Sequence, residues 1–244
     1  VYYFELTEGN EEFYLDFEKL REELKKSYNL VILCNPNNPT GSFVNRENFK
    51  ELLNDVNFSS TNFFIDEAFI DFIRNGEDLS FKHFESDRVI IIRAFTKFFG
   101  IPGLRLGYSI CYNKKWVSTA NNLKEPWTIN TFAASCGEIL LNSNKYIEKT
   151  YKTLEKEKNR MLNGLKKIEN IQVFKSESNF LLIKLMEISG TELYNKLLEK
   201  GFLIRRCENF NFLDDSYVRI AIKDKKSNKN FIKAINKITK NRNV

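Results

Sequence analysis

Residues 93–108 read RAFTKFFGIPGLRLGY. One lysine, Lys97, has aromatic residues on both sides that would shield it from water; a Gly-Ile-Pro-Gly bend follows, then Arg105. Burial in an apolar pocket disfavours the ammonium, so such a lysine loses its charge readily, and the neutral amine can form a Schiff base. Arg105 carries a rigid guanidinium fork that suits a phosphate. A Schiff-base lysine near a phosphate-binding arginine suggests pyridoxal phosphate. A lysine beside aromatics that merely snorkels to solvent is the plainer alternative, and this stretch taken alone leaves both open.

Working outward, the flanking segments aim at the same place. Leu30–Cys34 (LVILC) is a wholly apolar run, the pattern of a strand buried on both faces of a parallel sheet. It ends in the loop Asn35-Pro36-Asn37-Asn38-Pro39-Thr40-Gly41. A second strand, Asn62–Ile65 (NFFI), runs into Asp66-Glu67-Ala68-Phe69, and a third, Arg88–Ile92 (RVIII), delivers Ala94-Phe95-Thr96-Lys97. Helical spacing is predicted over 17–28 and over 45–56, the latter capped by Asn45. Leu106–Tyr112 is a fourth strand, reached by too short a loop for a helical crossover and so predicted antiparallel. Three strands in succession therefore end in Asn38, Asp66 and Lys97, and open α/β sheets bind ligands beyond the carboxyl ends of their strands. The expected fold is α/β, a mostly parallel sheet with helices on both faces.

Beyond residue 130 the pattern changes. Residues 130–167 read as long helix interrupted near Asn142-Ser143-Asn144, with alternating charges through EKTYKTLEKEKNR. Strands are predicted at 171–174, 180–185, 202–205 and 217–222, and helices at 191–200, ended by Gly201, and at 228–238. This is a smaller α+β domain, and the expected division is 1–145 and 146–244.

The composition of the 244 residues, 42% hydrophobic and 14% aromatic, is that of a globular chain and not a disordered one. No apolar run approaches the ~20 residues of a membrane span, and no signal peptide opens the chain, so neither membrane nor export is expected. Cys34, Cys111, Cys136 and Cys207 lie far apart and His83 is the single histidine, which argues against a zinc site and for reduced thiols in a cytoplasm. The formal charge of +6 favours anionic ligands, but it is spread along the chain; the dense basic run 223–242 reads as a solvated helix face, and no nucleic acid is expected. The start at Val1, already in what reads as strand and turn, points to an N-terminally truncated chain.

The motifs NPNNPTG (35–41), DEAF (66–69) and FTKFFGIPGLRLGY (95–108) resemble, in order and spacing, the fold type I pyridoxal-phosphate enzymes of the class I/II aminotransferase group. Within it, CNPNNPTG, FIDEAFIDF, RAFTKFFGIPGLRLGY, EPWTIN and LIRRCENF look most like the threonine-phosphate decarboxylases of cobalamin synthesis, close relatives of the histidinol-phosphate aminotransferases. The resemblance implies that Lys97 forms the Schiff base and moves the proton, and that Asp66 keeps the pyridine nitrogen protonated. It implies Asn38 on the phenolic oxygen, with Phe69 beside it, and Thr96 and Arg105 on the cofactor phosphate. Arg219 would grip the substrate carboxylate. Arg205, with Arg206 competing for the role, would take a substrate phosphate, and Asn179, Trp127 and Asn130 would line the substrate side.

Three departures accompany the resemblance. Phe69 stands where the wider group has tyrosine, phenylalanine being what the decarboxylase branch implies, and Ala94 stands where a phosphate-binding serine is usual, a loss of about 1 kcal/mol. The arm, first strand and phosphate-cradling turn of the family would precede Val1. The resemblance implies decarboxylation of a small phosphorylated amino acid, L-threonine O-3-phosphate, by a homodimer. Its alternative is a histidinol-phosphate-type aminotransferase using 2-oxoglutarate, and a further one the aminotransferase-like domain of a transcriptional regulator. His83, Glu67 and Asp71 read as structural.

Overall fold

In a computed structural model describing residues 1–240, the chain runs β1 (Thr7–Glu8), β2 (Phe13–Tyr14), α1 (Phe17–Leu24), β3 (Leu30–Cys34), α2 (Arg46–Asn54), β4 (Asn62–Asp66) and α3 (Gly76–Leu79). It continues with β5 (Val89–Ala94), α4 (Phe95–Phe98), β6 (Gly107–Cys111), α5 (Lys114–Leu123), α6 (Thr131–Leu141) and α7 (Asn144–Leu165). The last elements are β7 (Ile171–Val173), β8 (Phe180–Leu185), α8 (Gly190–Leu198), β9 (Arg205–Arg206), β10 (Tyr217–Ala221) and α9 (Lys225–Lys240). No helix among the described residues is long and apolar enough to cross a membrane.

The chain forms two compact units, one of residues Leu15–Asn38 and Phe43–Ile147, the other of Val1–Tyr14, Pro39–Ser42 and Glu148–Val244. A single cut at 145/146 does not describe this arrangement, because two early segments go with the later part of the chain. The reason is packing: Phe13 of β2 is buried at 4.8 Å from Phe174 and 6.3 Å from Tyr217.

The first unit is built on the sheet β3-β4-β5-β6. β3, β4 and β5 are parallel, pairing Cys34 with Asp66 and Asp66 with Ile92, and β6 runs antiparallel to β5, pairing Ala94 with Gly107. Asn45 caps α2 by accepting from Glu47 N at 2.9 Å, and α2 turns Phe49, Leu52 and Leu53 inward. Phe49 meets Phe63 of β4 at 5.1 Å and Phe81 at 4.9 Å, so one sheet face packs on a dry aromatic cluster. The other face is less covered. Leu30 and Ile32 are exposed, so β3 is not the doubly buried strand that LVILC suggested: in this sheet it is an edge, with β4 as its one strand partner. Residues 113–129 carried no predicted element, yet α5 forms there, capped by Asn113; none of its side chains is buried, so no apolar stripe announced it.

The second unit carries the antiparallel sheet β7-β8-β10-β9. Alternation divides β8: Leu181, Ile183 and Leu185 join Met161 and Leu165 of α7, Leu193 and Leu197 of α8 and Ile235 of α9 in one core. Leu182 packs with Phe13, Phe174, Cys207 and Tyr217 in another cluster. β9 begins at Arg205, later than the predicted 202–205, because Phe202 turns into the helix core against Phe231 at 5.7 Å.

Phe49→Ala is expected to lower stability by about 3–5 kcal/mol in urea unfolding, since it empties a site closed on both sides by aromatic rings.

Candidate active site

The parallel register sets the site. Cys34, Asp66 and Ile92 lie side by side, so the segments leaving β3, β4 and β5 emerge at one sheet edge, and β6 begins where β5 ends. Asn38, Asp66, Lys97 and Arg105 all stand on these segments. Asn35 fastens the first of them: its Nδ2 donates to Val44 O at 3.0 Å and its Oδ1 accepts from Val44 N at 2.7 Å. Asp66 is the last residue of β4; its carbonyl accepts from Asn35 N at 2.8 Å, and its Oδ1 accepts from Ala68 N at 2.9 Å. The carboxylate is thus aimed from a rigid strand end. Burial and, behind it, the charge of Asp66 push the Cys34 thiol up to about 11, so Cys34 stands beside Asp66 as a neutral group.

Lys97 lies in α4 with its side chain exposed and its Nζ 5.8 Å from the Phe69 ring centroid. The expected shielding by its neighbours in sequence does not occur. Phe95 is buried and turns to Phe99 and Tyr108 at 5.9 and 5.7 Å, while Phe98 packs on Phe72 at 5.3 Å and Tyr146 at 6.3 Å. Consecutive helical side chains point about 100° apart, so residues next to a lysine in sequence do not cover it. The aromatic that does approach, Phe69, comes from the segment after β4.

Ala94 occupies the N-cap of α4 without a side-chain cap, and Thr96 is half-buried. Arg105 has a left-handed backbone (φ 55°), is exposed, and donates from Nη1 to Pro102 O at 2.9 Å. Asn130 caps α6 through Oδ1, accepting from Ala133 N at 2.9 Å, and its Nδ2 donates to Leu104 O at 3.1 Å. Its amide therefore braces the residue before Arg105. Trp127 is 95% exposed at φ 64° and so lines no pocket within this unit.

The remaining predicted residues belong to the second unit. Arg219 of β10 pairs in register with Arg205 of β9, and Val218 with Arg206. Val218 belongs to the helix-packed core, so Arg206 faces α8: its Nη1 donates to Thr191 Oγ1 at 2.6 Å, it lies over the Tyr194 ring at 5.6 Å, and it pairs with Glu208 at 3.0 Å. Arg205 and Arg219 share the opposite face. Arg219 lies over the Phe180 ring at 4.9 Å, and burial, with the charge of Arg205 adding to it, pulls its guanidinium below the usual range. Arg205 donates to Asn209 Oδ1 at 2.8 Å and is exposed. Cys207 is buried between them in sequence, its thiol pushed up to about 11 by burial against the opposing pull of both arginines. Asn179 is half-buried just before β8, and its carbonyl accepts from Ile222 N at 2.9 Å.

An amine, a carboxylate, an amide, a hydroxyl and a guanidinium at one sheet edge suit an aldehyde-bearing, nitrogen-containing ring with a phosphate. Among the described residues, no group of three His, Cys, Asp or Glu could hold a metal ion. Sequence reading gave no role to Arg93. Its signal is a charge on the buried parity of RVIIIRA, where Val89 and Ile91 also point.

The family description "aminotransferase class I and II" matches residues 1–235. A candidate threonine-phosphate decarboxylase of Caldanaerobacter subterraneus subsp. tengcongensis is 38% identical over 235 residues, covering 93% of this chain and 62% of the relative. The histidinol-phosphate aminotransferase of Methanocaldococcus jannaschii is 30% identical over 227 residues, covering 93% and 60%. Among solved structures, the histidinol-phosphate aminotransferase from Clostridium acetobutylicum superposes with a TM-score of 0.88 at 39% identity, covering 93% of this chain and 68% of that one. The chain thus spans about three fifths of the length of these curated relatives.

The opposite facing of the two adjacent arginines has a measurable consequence. Arg206→Gln is expected to lower the thermal midpoint, losing about 1 kcal/mol with the Thr191 bond, while leaving inorganic phosphate binding unchanged. Arg205→Gln is expected to keep the midpoint and to weaken phosphate binding in calorimetry; the reverse pattern would put the anion on the α8 side.

Proposed function

The chain belongs to the aminotransferase class I and II family, a family of pyridoxal-phosphate enzymes, and from that premise we propose that the full-length protein decarboxylates L-threonine O-3-phosphate to aminopropanol phosphate for cobalamin synthesis. The substrate class rests on one observation, the in-register pair Arg205 and Arg219 on a single sheet face, two cations for a small molecule bearing a phosphate and a carboxylate. The choice of decarboxylation is supported by the likeness to the Caldanaerobacter protein and by Phe69, which lacks the hydroxyl of a tyrosine.

The donor set at the sheet edge fits the cofactor. Lys97 would carry it on Nζ, Asp66 would hold the proton on its ring nitrogen, Asn38 would bond its phenolic oxygen, and Thr96 and Arg105 would hold its phosphate. When bound, pyridoxal phosphate supplies an electron sink for the substrate α-carbon. The chain's residues then choose which α-bond breaks. Arg219 on the carboxylate and Arg205 on the phosphate would set the Cα–carboxylate bond across the ring plane. Carbon dioxide leaves, its bonding pair stays with the substrate, and Lys97 Nζ returns a proton to Cα. Asn179 and the Trp127–Asn130 segment are proposed to line the substrate side.

A second reading, a histidinol-phosphate-type aminotransferase, is favoured by the Clostridium structure. In that case the same groups set the Cα–H bond across the ring, and 2-oxoglutarate accepts the amino group. We further propose a cytoplasmic homodimer, supported by the exposure of Leu123, Ile129, Phe132, Ile139 and Leu141 on and around α5 and α6 and by four unpaired cysteines.

Full-length protein given phosphothreonine is expected to release carbon dioxide with no keto acid present, and Lys97→Ala to abolish both the release and the borohydride-reducible cofactor adduct. Strict dependence on 2-oxoglutarate supports the aminotransferase instead. Analytical ultracentrifugation of the full-length protein is expected to give twice the chain mass; a concentration-independent monomer removes the dimer.

A further inference from the structure

Behind the sheet edge lies a charged cluster that the proposed chemistry does not use. Arg93, on β5, is 2% exposed and Glu67, just past β4, is 0% exposed. Glu67 follows Asp66 directly, and its N–H extends the ladder by donating to Ile92 O at 2.8 Å. Strand alternation therefore sends Asp66 to one face and Glu67 to the other, where Arg93 stands. The guanidinium donates from Nε to Glu67 Oε2 at 2.9 Å and from Nη1 to Glu77 Oε2 at 2.7 Å, with Asp71 Oδ1 at 3.5 Å. These three carboxylates come from the one segment that runs from Asp66 to α3, so a single planar fork holds both of its ends. Glu67 is itself pinned, accepting from Ser80 Oγ and Phe81 N, each at 2.7 Å.

Stability alone does not account for the cluster. Buried ion pairs replaced by apolar residues of similar volume often leave stability unchanged or raised. Moreover, Arg93 Nη2 is buried without a hydrogen-bond partner, the one such side-chain atom among the described residues. What the fork contributes is position. Asp66 precedes Glu67, and Phe69, whose ring faces Lys97 Nζ, lies in the clasped segment and stacks on Phe72 at 6.2 Å. Phe72 in turn meets Phe98, the residue after Lys97, at 5.3 Å.

We propose that Arg93, through its clasp on Glu67, Asp71 and Glu77, is a positioning residue that sets the Asp66 carboxylate and the Phe69–Lys97 contact at the sheet edge. The inference rests on the reading of Asp66 and Lys97 as cofactor-holding groups, but the clasp is testable without cofactor. The double variant Arg93→Met with Glu67→Gln removes both buried charges, keeps side-chain volume, and leaves glutamine able to accept from Phe81 N. In the full-length protein it is expected to unfold in urea near the parental midpoint. Amide exchange over residues 66–72 of the cofactor-free protein should speed up while residues 49–53 stay protected. In the loaded protein, the cofactor dissociation constant should rise by roughly tenfold or more, as when a residue supporting a binding group is lost, and the pH midpoint of the bound cofactor's absorbance should move.

Unchanged exchange over 66–72, with an unchanged dissociation constant and midpoint, overturns the proposal. If the double variant fails to fold, Arg93→Lys takes its place, keeping the charge but unable to reach Glu67 and Glu77 together, with the same readouts deciding. A parental protein that takes up no pyridoxal phosphate refutes the functional reading, and the exchange comparison still decides the clasp.

Discussion

At the carboxyl end of β4, two consecutive acidic residues are sent to opposite faces of the sheet, and much of the first unit follows from that division. Asp66 stays at the open edge with its Oδ1 held by the Ala68 amide. Glu67 goes inward and meets Arg93, with Ser80 and Phe81 completing its bonds. A carboxylate without these partners in that dry aromatic layer would be costly, so the register of β4 against β5 is fixed by charge as well as by apolar packing. A slip of one residue would bury Asp66 and expose Glu67.

The second unit applies the same alternation to cations. In β10, Val218 and Ile220 enter the core against α7, α8 and α9, which leaves Tyr217 and Arg219 on the opposite face. β9 is two residues long, and its register assigns its two arginines to different surroundings: Arg206 to Thr191, Tyr194 and Glu208, Arg205 to the Arg219 face. Two like charges on facing positions repel, and the Arg219 guanidinium is pulled below its usual range mainly by burial, with the charge of Arg205 adding to it against the opposing pull of Cys207. An anion between them would relieve both, which is the electrostatic ground for the proposed phosphate and carboxylate contacts.

Lys97 illustrates how an aromatic-rich segment can leave a lysine in water. Phe95, Phe98 and Phe99 form contacts with Tyr108, Phe72 and Tyr146 and so anchor α4. The Phe69 ring stands 5.8 Å from the amine itself. The rigidity of the support and the exposure of the amine are separate properties, and it is the first that these aromatics supply.

The sequence by itself determined which segments are strands and helices wherever period 2 or period 3.6 is strong. It also determined that β6 returns antiparallel after a short bend, and that the segments carrying Asn38, Asp66 and Lys97 leave three successive strands at one edge. Those properties depend on neighbours within a few residues, or on motifs whose order is written in the chain. Only the tertiary structure decided that LVILC is an edge strand with Leu30 and Ile32 exposed, that Val1–Tyr14 packs with the later unit, that Arg205 and not Arg206 shares a face with Arg219, and that Arg93 is buried among three carboxylates. Each of these depends on which distant residues come to lie against a given side chain. Burial and charge pairing are properties of that meeting, and no local pattern encodes them.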